Sequence, residues 1–178
     1  MRKVKKFKLT SEFIVDISGV KLFRIKALIE FGNVKAGDLG GYIEKEENLS
    51  HMGDARVSGD TQVFGDARVF GNAWVSGNAR VFGDAQVFGN ARVSGDAQVF
   101  GDARVSGDKD YAYAHGFGSC NRTTTFFRLK DGDVGVRCGC FYGTLAQFRD
   151  KVCETHGETK KAQEYLMLAD LMEIRFKN

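Results

Sequence analysis

The chain has 178 residues, of which 43% are hydrophobic and 28% are charged, and its net charge is +3. This length fits one globular unit, or a solenoid with a small appended domain, and argues against two large domains. The small positive excess lacks the dense basic character of a dedicated nucleic-acid-binding protein, although binding of nucleic acid through one face is not excluded.

The first residues, MRKVKKFKLT, are basic but run into no apolar stretch. No segment approaches the roughly 20 apolar residues that a membrane span needs. We therefore expect a cytoplasmic protein that does not contact a membrane. The four cysteines are then expected to be reduced thiols or metal ligands rather than disulfides.

Residues 1–52 are predicted to form an N-terminal cap with the irregular first rungs of a coil. Ile43 and Leu49 lie one hexapeptide apart, which is the spacing of the repeats that follow. A solenoid needs an atypical terminal segment to cover its first rung.

Residues 53–108 carry nine consecutive hexapeptides, Gly-(Asp/Asn)-(Ala/Thr)-(Arg/Gln/Trp)-Val-(Phe/Ser). The last position repeats with every third hexapeptide as Ser, Phe, Phe, except that Ser106 stands where Phe is expected. A period of three hexapeptides predicts a mainly β protein with a three-sided parallel β-helix, one hexapeptide on each face. Ala and Val should point inward and Arg or Gln outward, while Gly and its Asp or Asn neighbour form the corners.

Stacking of every third hexapeptide places phenylalanines in outward columns. One column holds Phe64, Phe82 and Phe100, and a second holds Phe70 and Phe88. The rings either shield the sheet edges within the chain or form the interface of a homo-oligomer, a dimer or a trimer. The outward arginines, diluted by acidic corner residues, are interpreted as a solvated face. The interface candidates are Phe64, Phe70, Phe82, Phe88, Phe100 and Trp74.

Residues 109–178 are predicted to form a connector and a small ββαα domain. Two strands, 123–130 and 133–141, would be joined by a hairpin turn at Asp131-Gly132. An alternation that runs from Val134 to Cys140 should place two valines and two cysteines on one buried face.

Two helices are predicted after these strands. Thr144 and Gln147 form a capping box for the first helix, which ends near Gly157. The second helix begins at about Thr159 and carries an apolar stripe that ends at Phe176.

Three segments resemble known protein families. The repeat frame, as in VSGDTQ at 57–62, resembles the hexapeptide-repeat family of left-handed β-helices, which implies a left-handed coil. RIKAL at 24–28, FGNVKAGDLGGYIE at 31–44 and EENLS at 46–50 resemble the head of phage and prophage hexapeptide-repeat proteins. GCFYGTLAQF at 139–148 resembles the same phage proteins.

Many hexapeptide-repeat proteins are acyltransferases that use a histidine base and an acyl carrier such as acetyl-CoA. Only His115, just past the last coil, is placed where such a base would be needed. The repeats run without an inserted loop that could build an acceptor pocket, so no catalytic residue is assigned and His115 serves only the alternative function. No cofactor is expected, and no metal, because the cysteine spacings match no zinc pattern.

A donor-rich segment at 118–125 and the following Gly143-Thr144 suit an anion such as a small phosphorylated ligand. The resemblance to the phage proteins covers Gly118, Ser119, Asn121 and Thr125, with Cys120 where an arginine is expected. The alternative is a turn and strand edge whose hydroxyls satisfy the backbone. The ligand-binding candidates are Ser119, Asn121, Arg122, Thr123, Thr125, Gly143 and Thr144.

Together these observations predict a non-enzymatic phage or prophage protein, an oligomeric β-helix scaffold that antagonises a host antiviral defence component. The target could be a host protein such as a CRISPR effector, or a nucleotide signal, in the host cytoplasm. This setting is implied by the phage resemblance and by no single residue. Two alternatives stay open: a hexapeptide-class acyltransferase and a structural, polymer-forming assembly protein.

Overall fold

The computed structural model of the chain describes residues 4–177. An antiparallel hairpin begins the fold, with strands β1 (Phe7–Val15) and β2 (Lys21–Ala27). Strand β3 (Leu39–Ile43) pairs antiparallel with β2 and parallel with a strand of the coil, so it joins the hairpin to the solenoid. A short 3-10 helix, Glu46–Asn48, follows β3.

The hexapeptides form nine short strands that stack into three parallel sheets. The strands are β4 (Arg56–Val57), β5 (Gln62–Val63), β6 (Arg68–Val69), β7 (Trp74–Val75), β8 (Arg80–Val81), β9 (Gln86–Val87), β10 (Arg92–Val93), β11 (Gln98–Val99) and β12 (Arg104–Val105). The sheet orders are β5-β8-β11, which β3 extends at its start, β4-β7-β10 and β6-β9-β12. The register joins Arg56 to Trp74 and Trp74 to Arg92, and each step advances the chain by three hexapeptides.

This arrangement confirms the three-sided coil with three hexapeptides per turn. The first turn is slightly longer, because Ile43 pairs with Val63 and Leu49 forms a bridge to Val69. In both pairs the partners are separated by more than three hexapeptides, so the coil starts with a turn that exceeds its regular repeat.

Small and branched side chains fill the inside of the coil, as the repeat predicts. The repeat alanines and the valines from Val63 to Val105 are fully buried, and Thr61 takes one alanine position. The Thr61 hydroxyl donates a hydrogen bond to the Ser58 carbonyl over 2.7 Å, so its polar atom is satisfied inside the apolar interior.

The corners need glycine because successive corners touch. Gly77 has a φ of +69°, and a Cβ placed there would lie 3.0 Å from the backbone nitrogen of Gly95 one turn later. Any larger residue would therefore both strain the backbone and separate the turns.

The C-terminal domain contains a four-stranded antiparallel sheet, in which the two predicted strands are flanked by one further strand on each side. Its strands, in order, are β13 (Tyr111–Phe117), β14 (Arg122–Arg128), β15 (Val134–Cys138) and β16 (Phe141–Thr144). The first strand lies in the segment that the sequence predicted to be a connector. The second predicted strand, 133–141, is interrupted by the turn at Gly139, where φ is +58°. Cys140 lies in that turn and is exposed, which corrects its predicted burial.

Two helices complete the domain and confirm the capping prediction. Helix α1 (Leu145–His156) begins after Thr144, whose hydroxyl accepts the Gln147 N–H, and it ends at Gly157. Helix α2 (Lys160–Phe176) is capped by Thr159. Its buried stripe packs with α1 against the sheet, and the core lies between them. Neither helix in residues 4–177 has the length and apolarity of a membrane span.

Candidate functional site

The column of Phe64, Phe82 and Phe100 is covered by the chain itself. Phe64 and Phe82 stack with ring centroids 4.9 Å apart, and Phe82 lies 4.5 Å from Phe100. Phe64 is only 9% exposed because it packs with Leu22 and Tyr42 of the N-terminal strands.

The C-terminal domain covers the other end of this column. Tyr142 meets Phe100 edge to face at 4.8 Å, and the Arg137 guanidinium lies 5.4 Å from the same ring. The shielding interpretation therefore describes this column. Phe64 is corrected as an interface candidate, because its ring is already buried within the chain.

The second column consists of Phe70, which lines an open groove, and Phe88, which stacks on Phe70. The two rings stack almost parallel, with centroids 5.1 Å apart. Phe70 lines a groove of about 720 Å³ between the coil and the N-terminal segment. Other apolar side chains at the groove are well exposed, including Met52 at 72% and Val4 at 68%. We call this surface the Phe70–Phe88 groove.

Charged groups of both signs lie in the same groove. Arg68 and Glu47 are exposed, and neither forms an ion pair within residues 4–177. Glu46 is held by Lys5, whose ammonium donates to its carboxylate over 2.7 Å and keeps the pKa of Glu46 below its ordinary value. His51 accepts the Lys6 backbone N–H at its Nδ1 atom, and its Nε2 lies 3.5 Å from a Glu46 oxygen.

The donor-rich turn at 118–121 is occupied by groups of the chain itself. The Gly118 N–H donates to a Glu164 carboxylate oxygen over 2.8 Å, and the Ser119 N–H donates to the Tyr165 hydroxyl over 3.0 Å. Cys120 and Asn121 are exposed and adopt positive φ angles of 60° and 44°. A carboxylate of the protein therefore sits where the phosphorylated ligand was expected.

The remaining anion candidates do not converge on one point. Arg122 is exposed, whereas Thr125 is fully buried and its hydroxyl accepts the Gln98 N–H over 2.9 Å. Thr144 pairs with Gly135 of β15, and Gly135 pairs with Phe127 of β14. Phe127 lies near one end of β14, and Thr123 lies near the other end.

Thr144 also has its own partner at this end of the sheet. Its backbone N–H donates to the side-chain oxygen of Gln147 over 2.9 Å, within the capping box. Gly143 and Thr144 are thus separated from the donor-rich turn. The ligand-binding candidates share no common location, and a single ligand pocket stays a prediction.

His115 lies on the exposed end of β13. Its Nδ1 atom is 2.9 Å from the Thr123 hydroxyl oxygen, and Thr123 is the neighbour that would orient the ring. No group of three or more His, Cys, Asp or Glu side chains in the described range is arranged to hold a metal ion.

Trp74 lies on a different face of the coil from the Phe70–Phe88 groove. It stands between Arg56 and Arg92 on the sheet β4-β7-β10. The Arg56 guanidinium lies 4.5 Å from the indole ring, and the indole N–H donates to the Ser58 hydroxyl over 2.9 Å. Sequence reasoning singled out this tryptophan but missed the arginine that stacks on it.

Comparison with protein families identifies the coil. The YdcK beta solenoid repeat matches residues 61–77, 73–87, 85–99 and 97–108. This chain carries a repeated β-solenoid. The match begins at residue 61, so it covers the regular coil except its start at 53–60, and it leaves the N-terminal cap and the C-terminal domain outside. No curated protein matches the chain.

Proposed function

We propose that the chain is a non-enzymatic binding protein, a rigid β-solenoid that associates with a second copy of itself through the Phe70–Phe88 groove. The observation that carries this proposal is the contrast between the two phenylalanine columns. The terminal segments cover the first column, whereas the second borders a groove with exposed apolar side chains. Association would remove those side chains from water.

The charges of the groove support a second copy as the occupant. In a two-fold dimer the same patch faces itself, so each residue meets a different residue of the opposite patch. Arg68 can then lie against Glu47 of the second copy, and both charges lack an ion-pair partner within residues 4–177. A patch with only one sign of charge would repel itself.

Analytical ultracentrifugation tests this proposal. We expect the wild type to sediment as one closed species larger than a monomer, and the double variant Phe70→Ser, Phe88→Ser to sediment as a monomer. Serine occupies the equivalent corner at Ser58, Ser76 and Ser94, so the coil accepts it at this position.

Phe82→Ser is the matched control, because Phe82 belongs to the covered column. It should lower the free energy of unfolding, since packing on Phe64 and Phe100 is lost, and it should leave the sedimentation coefficient unchanged. A monomeric wild type at the highest soluble concentration, or an unchanged double variant, would contradict self-association.

We extend this proposal to a phage setting and a host defence target, because both ends of the chain resemble phage proteins. We propose a host protein as the target, since Glu164 and Tyr165 already bind the N–H groups of the turn expected to hold a nucleotide signal. Nucleotides should then leave the melting temperature unchanged. A concentration-dependent rise with a nucleotide would instead support the small-ligand alternative.

The acyltransferase alternative has a separate test. It requires that CoA or another acyl carrier raises the melting temperature and that His115→Ala abolishes turnover. We expect neither effect, because His115 lies on an exposed strand end beside a single hydroxyl partner.

A further inference from the structure

A second concave site lies on the face of the coil that carries Trp74. It is a pocket of about 280 Å³ between the sheet β4-β7-β10 and the segment that joins β2 to β3. Its polar side includes Arg56 and Ser58, and its apolar side includes Phe31, Val34 and Leu39. We call it the Arg56–Trp74 pocket.

The repeat and the N-terminal segment build this pocket together. Stacking of successive turns places Arg56 directly beside Trp74, and the hydrogen bond to Ser58 fixes the indole. The joining segment folds over this face, where Phe31 and Val34 exchange backbone hydrogen bonds. Gly40 permits the close approach, because a Cβ there would lie 2.8 Å from the Val57 carbonyl oxygen.

Arg56 is a partly buried cation that Asp54 influences without forming an ion pair with it. It forms no ion pair within residues 4–177, and its Nε atom is buried without a hydrogen-bond partner. Burial lowers the pKa of Arg56 below its ordinary value, the positive Arg92 adds to this effect, and Asp54 partly offsets it. A guanidinium in these surroundings is stabilised when an anion supplies the hydrogen-bond acceptors that the protein does not provide. This corrects the solvated face that the sequence predicted for this arginine.

We propose that the Arg56–Trp74 pocket binds a small monocarboxylic acid with a compact apolar body. A planar carboxylate matches the fork of the guanidinium, and the Ser58 hydroxyl proton can serve as a further donor. Phe31, Val34 and Leu39 offer an apolar surface for the rest of the ligand.

Size and charge narrow the ligand class further. A water molecule takes about 30 Å³, so the pocket holds roughly nine waters or a ligand with a similar number of non-hydrogen atoms. Asp38 lines the same pocket and would repel a second negative charge, which disfavours inorganic phosphate.

The fluorescence of Trp74 reports on the pocket directly, because the chain has only one tryptophan. We expect cyclohexanecarboxylate to produce a saturable change in fluorescence and a rise in melting temperature. The uncharged cyclohexanecarboxamide and inorganic phosphate should each bind at least about tenfold more weakly, which corresponds to about 1.4 kcal/mol.

Arg56→Gln is the decisive variant, and Arg104→Gln is its matched control. Glutamine occupies the same repeat position at Gln62, Gln86 and Gln98, so the coil should fold in both variants. Arg56→Gln should weaken carboxylate binding at least about tenfold, judged by melting temperature as well as fluorescence. Arg104→Gln, on the sheet β6-β9-β12, should bind like the wild type.

Four results would each overturn the proposal: no saturable change with the carboxylate, equal binding of the carboxamide, tighter binding of phosphate, or wild-type affinity in Arg56→Gln. None of them depends on self-association, because Arg56 and Trp74 lie on the sheet β4-β7-β10, whereas Phe70 follows a strand of the sheet β6-β9-β12. The double variant Phe70→Ser, Phe88→Ser should therefore keep its affinity for the carboxylate.

Discussion

The two ends of the coil are completed by opposite kinds of chemistry. Many backbone N–H groups of the coil donate to a carbonyl of the next turn, as from Arg56 to Ala73 over 2.9 Å and from Ser58 to Val75 over 3.0 Å. The first turn therefore leaves carbonyl oxygens without partners, and the last turn leaves N–H groups. Buried backbone groups need partners, so the N-terminal end requires donors and the C-terminal end requires acceptors.

Donors close the N-terminal end. The buried ammonium of Lys6 donates to the carbonyls of Gly53 and Ala55, the latter over 2.7 Å. The buried side-chain amide of Asn48 donates to the carbonyls of Gly65 and Ala67. Two side chains thus serve two corners of the first turn.

Acceptors close the C-terminal end. The Thr125 hydroxyl oxygen accepts the Gln98 N–H, and the Asp108 carboxylate accepts the Arg92 N–H, both over 2.9 Å. Asp108 is exposed, whereas Thr125, in β14 of the C-terminal sheet, is fully buried.

The closure of both ends of the coil affects how the solenoid can associate. An open coil end presents a row of backbone groups that another chain could extend by strand addition. Here side chains of the protein form hydrogen bonds with backbone groups at both ends of the coil. These bonds disfavour end-to-end growth and therefore the polymer-forming alternative. The sides of the coil are left for binding, and there the phenylalanine columns and the Arg56–Trp74 pocket differ from face to face.

The largest expected effect comes from removing the donor at the N-terminal end. Lys6→Met keeps the length and the apolar stem but leaves the carbonyls of Gly53 and Ala55 without a donor. Each unsatisfied buried group costs about 1–3 kcal/mol, and removal of a buried charge offsets part of that loss. We expect the free energy of unfolding in urea to fall by about 2–3 kcal/mol.

Lys5→Met is the matched control, because Lys5 is exposed and only pairs with Glu46 at the surface. It should change stability little. If both variants lose the same stability, the ammonium of Lys6 does not hold the end of the coil.

The regular coil could be predicted from sequence because its period is written nine times, and the helix caps because they depend on residues three positions apart. The end caps could not be predicted in the same way. Nothing local distinguishes Lys6, which is buried against the first turn, from exposed Lys5 in the same basic segment. The alternation of side chains in β14 places Thr125 on the opposite face of the strand from Thr124. The sequence does not show which of the two faces meets the coil.

The candidate sites were also hard to predict from local sequence, because segments distant in the chain complete them. The column spacing predicted that Phe64 and Phe70 occupy separate edges, but the cover over Phe64 comes from Leu22, far earlier in the chain. The repeat likewise placed Arg56 beside Trp74, while the segment around Phe31 that makes a pocket of them has no repeat signal.

A smaller effect is expected from the acceptor at the C-terminal end. Thr125→Val keeps the shape of the side chain and removes the oxygen that accepts the Gln98 N–H. One buried donor loses its partner, so the free energy of unfolding should fall by about 1–2 kcal/mol. Hydrogen exchange should show faster exchange of the Gln98 amide in particular.

Thr124→Val provides the matched control from the same strand. Thr124 is as buried as Thr125, but its hydroxyl donates only to the Cys138 sulfur, a weak acceptor. Its loss should leave the Gln98 amide protected. Equal exchange at Gln98 in the two variants would mean that Thr125 does not close this end of the coil.

The last expected effect is a pH dependence of stability that comes from Lys6 at the N-terminal end. Burial lowers the pKa of Lys6 to about 8 from its ordinary value of 10.5, against a weaker opposing effect of Asp54. Between these two values the unfolded chain keeps a proton that the folded chain has released, so the Lys6 contribution to the free energy of unfolding rises with pH. The neutral amine still has two N–H groups for its two carbonyl partners. Urea titrations from about pH 7 to about pH 9.5 stay below the range in which tyrosines ionise. The stability of the wild type relative to Lys6→Met should increase across this range, and a constant difference would show that the buried Lys6 does not titrate there.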